Sequence, residues 1–393
     1  MQADNPGTDV IIVGAGAAGL MCAIEAGKRK RSVLILDHSP NAGRKIRASG
    51  GGRCNFTNIN LSSDNYLSNN PHFCKSALSR LSPNDFIRML EKHGIGYYEK
   101  EDGQMFCKSG SKEILLMLQS ECKASGVKTL FNCNIENIKK TERYIISTDK
   151  GIFESKSLVI ATGGLSYPNL GATDIGHRVA RQFGLNVISA RPALAPLSFG
   201  QADRKAFSEL AGVSINAVVQ CNNKAFRGSV LFTYRGLSGP AILQISSYWN
   251  KGDTISINLL PDMDAHELLL SKRQSRMEMK NLLSKHLPAR FAERWSEIHL
   301  PSKPLCQFNE RELSRAAESL QNWEICPDGI EGYKTAEVTR GGVETDELSS
   351  KTMEAKKAPG LYFAGEVIDV TGQLGGYNLH WAWASGFVAG QYV

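Results

Sequence analysis

The stretch Ile11-Ile12-Val13-Gly14-Ala15-Gly16-Ala17-Ala18-Gly19-Leu20 decides the fold of this chain. An apolar run passes into Gly-x-Gly-x-x-Gly and then into Met21-Cys22-Ala23-Ile24-Glu25-Ala26, which reads as a strand, a tight turn and a helix with small residues toward the strand. Each glycine has a mechanical task. Gly14 permits the turn, Gly16 lets the backbone approach a pyrophosphate, and Gly19 lets helix and strand pack closely; the helix N-terminus offers unpaired N–H groups to the anion. Ala17 and Ala18 fill the positions between the last two glycines. The next apolar run, Ser32 to Leu36, ends in Asp37, eighteen residues beyond Gly19. A carboxylate there can accept hydrogen bonds from both ribose hydroxyls of an adenine nucleotide. A glycine-rich turn alone is a weak signal, but strand, helix, strand and acid in register make it a dinucleotide site. Which dinucleotide is left open by this stretch.

The chain has 393 residues, too many for one simple core, so two or three domains are expected. The apolar run Val10 to Ile24 could pass for the core of a signal peptide, but Asp4 and Asp9 stand where basic residues belong. No other segment is long and apolar enough to span a bilayer. Nine scattered cysteines without paired metal spacing read as reduced thiols in a cytoplasm, and no metal site is expected. A net charge of +7 permits a nucleic-acid partner without demanding one.

Gly43-Arg44-Lys45-Ile46-Arg47-Ala48-Ser49-Gly50-Gly51-Gly52-Arg53-Cys54-Asn55-Phe56-Thr57-Asn58 is the least ordinary stretch. Three consecutive glycines carry a large entropic cost, so such a loop is usually kept because a backbone must pass close to something. Four cations fall within ten residues with no acid among them. The loop reads as a cradle for phosphate and an isoalloxazine ring, its cations also able to face an anionic substrate; the alternative is a solvated surface loop. Ser82-Pro83-Asn84-Asp85 reads as a helix start, and a second helix is expected from about Ser111 to Ala124. Val127 to Phe131 reads as the third parallel strand, followed by a meander of Ile135 to Ile138, Tyr144 to Thr148 and Gly151 to Phe153. Leu158 to Gly164 is another buried strand ending in a glycine turn, where ligands of a doubly wound sheet bind. Past residue 191 the short β-like runs Ser214 to Cys221, Ser229 to Phe232 and Thr254 to Leu259 suggest an inserted antiparallel sheet or barrel, and 261–323 reads as helical, its last helix started by a capping box at Asn309 to Glu312. The mixed charges of that segment read as a solvated face.

Leu361 to Glu366 returns to the nucleotide type, and Gly372-Gln373-Leu374-Gly375-Gly376-Tyr377-Asn378 opens the terminal helix. A helix beginning beside the cofactor places about half a positive charge there, which favours a cofactor that becomes anionic on reduction. Flavin does so and nicotinamide does not, so this segment favours FAD over NAD.

Taken together, the strings Gly43 to Asn58, Ala161 to Gly164, Leu231 to Pro240, Thr335 to Thr339 and Gly365 to Trp383 resemble the BaiN/YhiN-like flavoprotein family of bacteria, across nearly the whole chain. The resemblance implies an α/β fold: a Rossmann-like, glutathione-reductase-type FAD-binding domain from 1–190 and 335–393, with an inserted β-barrel from 191–260 and 324–334 that carries a helical subdomain, 261–323. It also implies FAD held by Gly14, Gly16, Ala17, Ala18 and Gly19, by Asp37, and by the loop containing Arg44, Lys45, Ser49, Gly50, Gly51, Gly52, Arg53, Cys54 and Asn55. Ile135, the turn Ala161, Thr162, Gly163 and Gly164, and the residues Gly365, Glu366, Gly375, Gly376, Tyr377, Asn378 and Leu379 complete the implied set. Gln373 departs from the pattern, which puts an aromatic residue before Leu374, and bears on packing against the flavin face or on substrate choice. Family members are described as NAD(P)H-dependent reductases; some reduce a uridine of large-subunit ribosomal RNA to dihydrouridine, others a steroid enone, and others oxidise aminoacetone.

The leading expectation is therefore reduction of an activated carbon–carbon double bond by NAD(P)H through FAD, with a protein acid or water supplying the second hydrogen as a proton. Cys54, set among cations that tune thiol pKa, and Cys107 are the candidate donors; an inert buried cysteine is the commoner fate. Arg44, Lys45, Arg47 and Arg53 are expected to serve FAD or RNA phosphates. An RNA substrate requires the base to leave its stack and enter a basic, aromatic-lined opening. The competing readings are a small-molecule reductase or oxidase, marked by a closed apolar pocket, and a flavin-binding protein without turnover. No second Gly-x-Gly-x-x-Gly domain exists for a nicotinamide, so that reductant must dock transiently at the flavin face.

Overall fold

A computed structural model describes residues 8–393; Asp4, which counted against a leader peptide, lies outside them. Two compact units are formed, one from the chain up to Arg191 together with Val338–Val393, the other from Pro192–Glu337.

The first unit is built on the expected strand–turn–helix. Strand β1 (Thr8–Val13), helix α1 (Ala17–Lys28) and strand β2 (Val33–Leu36) follow one another, and β1 and β2 pair in parallel, Val10 opposite Val33 and Val13 opposite Leu36. After them come the short helix α2 (Arg44–Ala48), strand β3 (Asn55–Asn58), strand β4 (Gln104–Cys107) and helix α3 (Ser111–Ala124). Strand β5 (Lys128–Leu130) adds to β2 in parallel as the third strand. Strand β6 (Tyr144–Thr148) then runs antiparallel to the first half of strand β7 (Gly151–Ile160). From its hydrophobic pattern this segment divides into two strands, a meander arm at Gly151 to Phe153 and a buried strand from Leu158. It is one ten-residue strand whose burial changes along its length: the first half lies mainly exposed against β6, and the second half pairs in parallel with β1. The change from alternating to continuous apolar character follows that change of partner, from a solvated antiparallel pair to a sheet covered on both faces.

Strand β8 (Leu361–Phe363) returns from the far end of the chain to pair with Leu158 to Ile160 of β7. The carboxyl ends of β1, β2, β7 and β8 thus open on one edge, where a doubly wound sheet binds its ligand. The terminal helix α4 (Tyr377–Tyr392) packs across α1 at small residues. A Cβ on Gly386 would lie 2.3 Å from the Ala18 carbonyl oxygen, and one on Gly390 would lie 2.6 Å from that of Cys22. Large side chains there would push the two helices apart.

The second unit is an antiparallel sheet of seven strands in the order Trp323–Ile325, Ile255–Asn258, Ser214–Cys221, Lys224–Phe232, Gly236–Ser238, Leu197–Ser198, Gly329–Ile330. The two edge strands are joined by residues 326–328, so the sheet must roll to bring its edges together. Helices Ala265–Ser271, Met279–Leu283, Ala289–His299 and Glu310–Gln321 follow the expected helical stretch. The last is started by the predicted capping box between Asn309 and Glu312. Phe207, Phe232, Phe291 and Trp323 form its aromatic core.

Candidate cofactor and active site

The glycines of the opening turn divide into two kinds. A Cβ on Gly14, whose φ is +109°, would lie 2.4 Å from the Ala161 carbonyl oxygen, and one on Gly19 would lie 1.9 Å from that of Gly14. Those two are required by the protein's own packing. At Gly16 a Cβ would meet nothing within 4 Å, and its φ of −85° suits any residue. Gly16 is the N-cap of α1 and no side chain caps that end. Its bareness serves a ligand rather than the fold, as a pyrophosphate at the N–H groups of α1 requires.

Beside this turn the Asp37 carboxylate is held by two backbone amides, accepting from Ala15 at 2.6 Å and from Ser39 at 2.7 Å. Ribose hydroxyls can reach its remaining lone pairs. The Cys133 amide donates to the Asp37 carbonyl oxygen at 3.0 Å, which brings Ile135, two residues on, to the same end of the sheet.

The Gly43-to-Asn58 loop reaches this edge through the Gly43 amide, which donates to the Ala15 carbonyl oxygen at 2.9 Å. Gly50, Gly51 and Gly52 take φ values of +58°, +65° and +87°, three left-handed residues in succession that only glycine adopts cheaply. The four cations of the loop have separate fates. Lys45 Nζ lies 2.9 Å from Glu366 Oε2, and Arg44 donates to the Asn169 carbonyl oxygen at 3.1 Å. Arg53 spreads over the Phe106 ring at 5.7 Å, and Arg47 is exposed. The charge of Lys45 is therefore matched by a carboxylate before any phosphate arrives.

Glu366 also accepts from the Thr339 amide at 2.8 Å, and the Thr339 hydroxyl accepts from the amides of Leu165 and Ser166 at 2.8 and 3.1 Å. Burial pushes the Glu366 carboxyl up, but Lys45 and the Thr339 and Gly164 amides outweigh it and hold the group below the ordinary glutamate value. Thr339 thus ties the turn after β7 to the segment after β8. The string Thr335 to Thr339 carries part of the family resemblance, but this role cannot be read from it, because the hydroxyl's partners are 173 and 174 residues away. Next to this hub Thr162 Oγ1 and His177 Nε2 are buried without a hydrogen-bond partner. Buried polar atoms are seldom left so, and a bound polar group at this edge would satisfy them.

The third glycine stretch starts α4. Gly376, with φ of +97°, is its N-cap and has no side-chain cap; a Cβ there would lie 2.4 Å from the Thr57 carbonyl oxygen. Asn58 Nδ2 donates to the Gly375 carbonyl oxygen at 3.0 Å, so β3 and the start of α4 are bound together. The side chains of this stretch are engaged within the protein. The Asn378 amide exchanges hydrogen bonds with Gly372 at 2.8 Å each, Tyr377 packs edge-on against Tyr66, and Leu379 packs on the core. Gln373, where an aromatic residue was expected, accepts from Asn65 Nδ2 at 3.0 Å and donates its amide to the Asn65 carbonyl oxygen at 2.9 Å. The bare backbone is what this stretch offers a ligand.

Cys54 and Cys107 are neighbours: the Cys107 amide donates to the carbonyl oxygens of Arg53 and Cys54, at 3.1 and 3.4 Å. The expectation that nearby cations tune the Cys54 thiol is overturned. Its side chain is fully buried while Arg47 and Arg53 are exposed, Arg53 lying over the Phe106 ring, and burial pushes the thiol up to about 12. Burial also raises Cys107, against the opposing effect of the Ser109 and Gly110 amides.

The three glycine-lined backbone segments at one sheet edge, two bare helix N-termini, the anchored Asp37 and the unpartnered atoms Thr162 Oγ1 and His177 Nε2 together fit an extended dinucleotide such as FAD. Residues 8–392 match the family model described as HI0933-like protein Rossmann domain. The chain is 48% identical over 388 residues to a ribosomal RNA dihydrouridine synthase of Escherichia coli, covering 98% of this chain and 97% of that protein. It is 43% identical to a protein of the same name from Haemophilus influenzae, covering 96% of both. A 3-dehydro-bile acid delta(4,6)-reductase of Clostridium scindens is 28% identical, covering 97% of both. Among the described residues no helix is long and apolar enough to cross a membrane. The chain is an oxidoreductase of flavoprotein type, and it belongs to the HI0933-like Rossmann family.

Proposed function

We propose that this protein uses NAD(P)H to reduce an activated carbon–carbon double bond, and that the substrate is a uridine of large-subunit ribosomal RNA, converted to dihydrouridine in the cytoplasm. The observation that carries the substrate is the full-length likeness, at 48% identity, to a protein named for that reaction. FAD, when bound, would supply the two-electron chemistry by which a hydride equivalent from the nicotinamide reaches the β-carbon of the conjugated carbonyl, C6 of uridine.

The residues of the chain divide the remaining work. Gly14 to Gly19 and the amino end of α1 hold the pyrophosphate, Asp37 holds the adenosine ribose, and Ile135 lies beside that end. The turn Ala161 to Gly164, Glu366 and the Gly50-to-Asn55 backbone line the path toward the flavin ring. The amino end of α4, bare at Gly375 and Gly376, offers about half a positive charge that would favour a cofactor becoming anionic on reduction. The second hydrogen arrives as a proton at the carbon next to the carbonyl. Both thiols are buried; we assign the proton to Cys107, where two backbone amides, of Ser109 and Gly110, oppose the effect of burial, whereas at Cys54 the Ser49 hydroxyl alone does so and the thiol is driven up to about 12. Without a second nucleotide-binding motif, NAD(P)H docks transiently at the face the substrate later uses.

A second reading, reduction of a small conjugated enone, is favoured by the likeness to the bile acid reductase. Mass spectrometry of ribosomal RNA from a strain lacking this protein separates the two. Loss of dihydrouridine from large-subunit RNA is expected; unchanged dihydrouridine defeats the RNA reading and leaves the enone one.

A further inference from the structure

Two cations of the glycine loop, Lys45 and Arg44, are tied inward, whereas Arg47 and Arg53 stand in solvent beside the exposed turn Gly50 to Gly52. Two lysines from another part of the chain join them. Lys108 follows β4, its amide donating to the Gly96 carbonyl oxygen at 2.9 Å and its side chain running over Gly96. Alternation along the strand puts it on the face of Phe106, the ring that Arg53 covers. Lys112 lies in the first turn of α3, where the Ser111 hydroxyl donates to the Arg47 carbonyl oxygen at 3.0 Å. All four cations are exposed, and among the described residues none forms an ion pair. The first-turn acid, Glu113, is close enough to Cys107 to raise its thiol and is half-buried. Glu101 and Asp102 sit at the far, turn end of β4. The fourteen-residue helix α3 begins at Gly110 without a side-chain cap, adding its own partial positive charge.

Surface cations are commonly solvated rather than ion-paired, so a single unpaired lysine means little and only their convergence on one spot carries weight. Four unpaired cations converging from two separate segments on one bare glycine turn, beside the half-buried Tyr98 ring that stacks on the buried Phe106 (5.8 Å apart and 21° from parallel), form a surface complementary to a polyanion. We infer that Arg47, Arg53, Lys108 and Lys112 are the docking face for the RNA backbone, gripping phosphates that flank the base entering the site. This rests on the uridine reading above, and names the part of the protein that selects RNA over a small enone.

The test is binding of the FAD-loaded full chain to unmodified large-subunit ribosomal RNA, measured across a range of salt. Removing two phosphate contacts with K108Q/K112Q is expected to weaken binding roughly tenfold near 0.1 M salt and to flatten the log–log salt slope by about 1.4, at about 0.7 per contact with a single strand. Flavin absorbance per protein should stay unchanged. The same charge removed at exposed Lys272 and Arg273 of the inserted unit should alter neither quantity. Wild-type binding with an unchanged affinity and slope in K108Q/K112Q overturns this docking face and spares the RNA reading. An equal loss in K272Q/R273Q shows that only net charge was read, and also overturns it. No binding by the wild type at any salt removes both.

Discussion

Lys45 Nζ and Glu366 Oε2 meet at 2.9 Å although 321 residues separate them, and the pair joins the loop after β2 to the segment after β8. Glu366→Gln would leave the ammonium without its counter-charge. For a partly buried pair we expect a loss of about 1–2 kcal/mol in urea unfolding at pH 7. The sign with pH follows from the lowered carboxyl of Glu366. Its stabilisation is complete above the unfolded value, about 4.5, and is lost as pH falls through the lower folded value, so the gap between wild type and variant should close in acid. A gap independent of pH would mean that the pair contributes packing rather than charge.

Gly14 and Gly16 are two residues apart and should respond in opposite ways. Gly14→Ala forces a Cβ onto the Ala161 carbonyl oxygen at a left-handed φ, and is expected to cost more than about 2 kcal/mol with or without FAD. Gly16→Ala meets no protein atom, so the FAD-free chain should keep its stability within about 0.5 kcal/mol. Its FAD affinity should fall by roughly tenfold or more, because the methyl occupies the approach of the pyrophosphate. Calorimetry and flavin titration of the two variants read this directly. Normal FAD affinity in Gly16→Ala would place the cofactor elsewhere.

Whatever depends on neighbours in sequence could be read there. Gly14 to Gly19, Asp37, α3 and the helix starts at Ser82 and Asn309 carry their signals within a few residues, through turn geometry, periodicity and capping chemistry. What escaped depends on distant partners. The cations at Arg44, Lys45, Arg47 and Arg53 look alike in sequence, but a carboxylate more than 300 residues away claims Lys45 alone. Cys54 sits among charged residues and reads as tuned by them, while in the structure its side chain turns into the core. Strand β7 looked like two strands because its partners change midway. Thr339 stands in one of the strings that carry the family resemblance, but its part in joining two distant segments is not legible there.

His380 adds an acid sensitivity of its own. Its ring bridges the Thr57 hydroxyl at 2.7 Å and the Leu81 carbonyl oxygen at 2.9 Å, fully buried, and burial lowers it to about 4. The native state therefore binds the proton less readily than the unfolded chain. Stability is complete above about 6.5 and falls as pH drops through 4, by roughly 3 kcal/mol in all. Urea unfolding at pH 7 and pH 4.5 should show this loss in the wild type and a smaller one in His380→Gln. Equal losses would shift the acid sensitivity to other groups.

The proton donor can be tested by removing each thiol in turn, with flavin absorbance per protein as the check on the cofactor cradle. Cys107→Ala should lower turnover by roughly a hundredfold or more, the low end of a general-acid contribution, while NAD(P)H still reduces the flavin at the wild-type rate. Cys54→Ala should change turnover by less than tenfold. Unaltered turnover in Cys107→Ala would transfer the proton to water.

The most direct measurement is reconstitution. Purified, FAD-loaded protein is mixed with NADPH or NADH and large-subunit ribosomal RNA isolated from cells lacking the protein, and the nucleosides are analysed by mass spectrometry. The account requires one uridine to gain two hydrogens, in a yield dependent on the nicotinamide and abolished without FAD. RNA left unchanged while the flavin is reduced by the nicotinamide and reoxidised by a conjugated enone would contradict it.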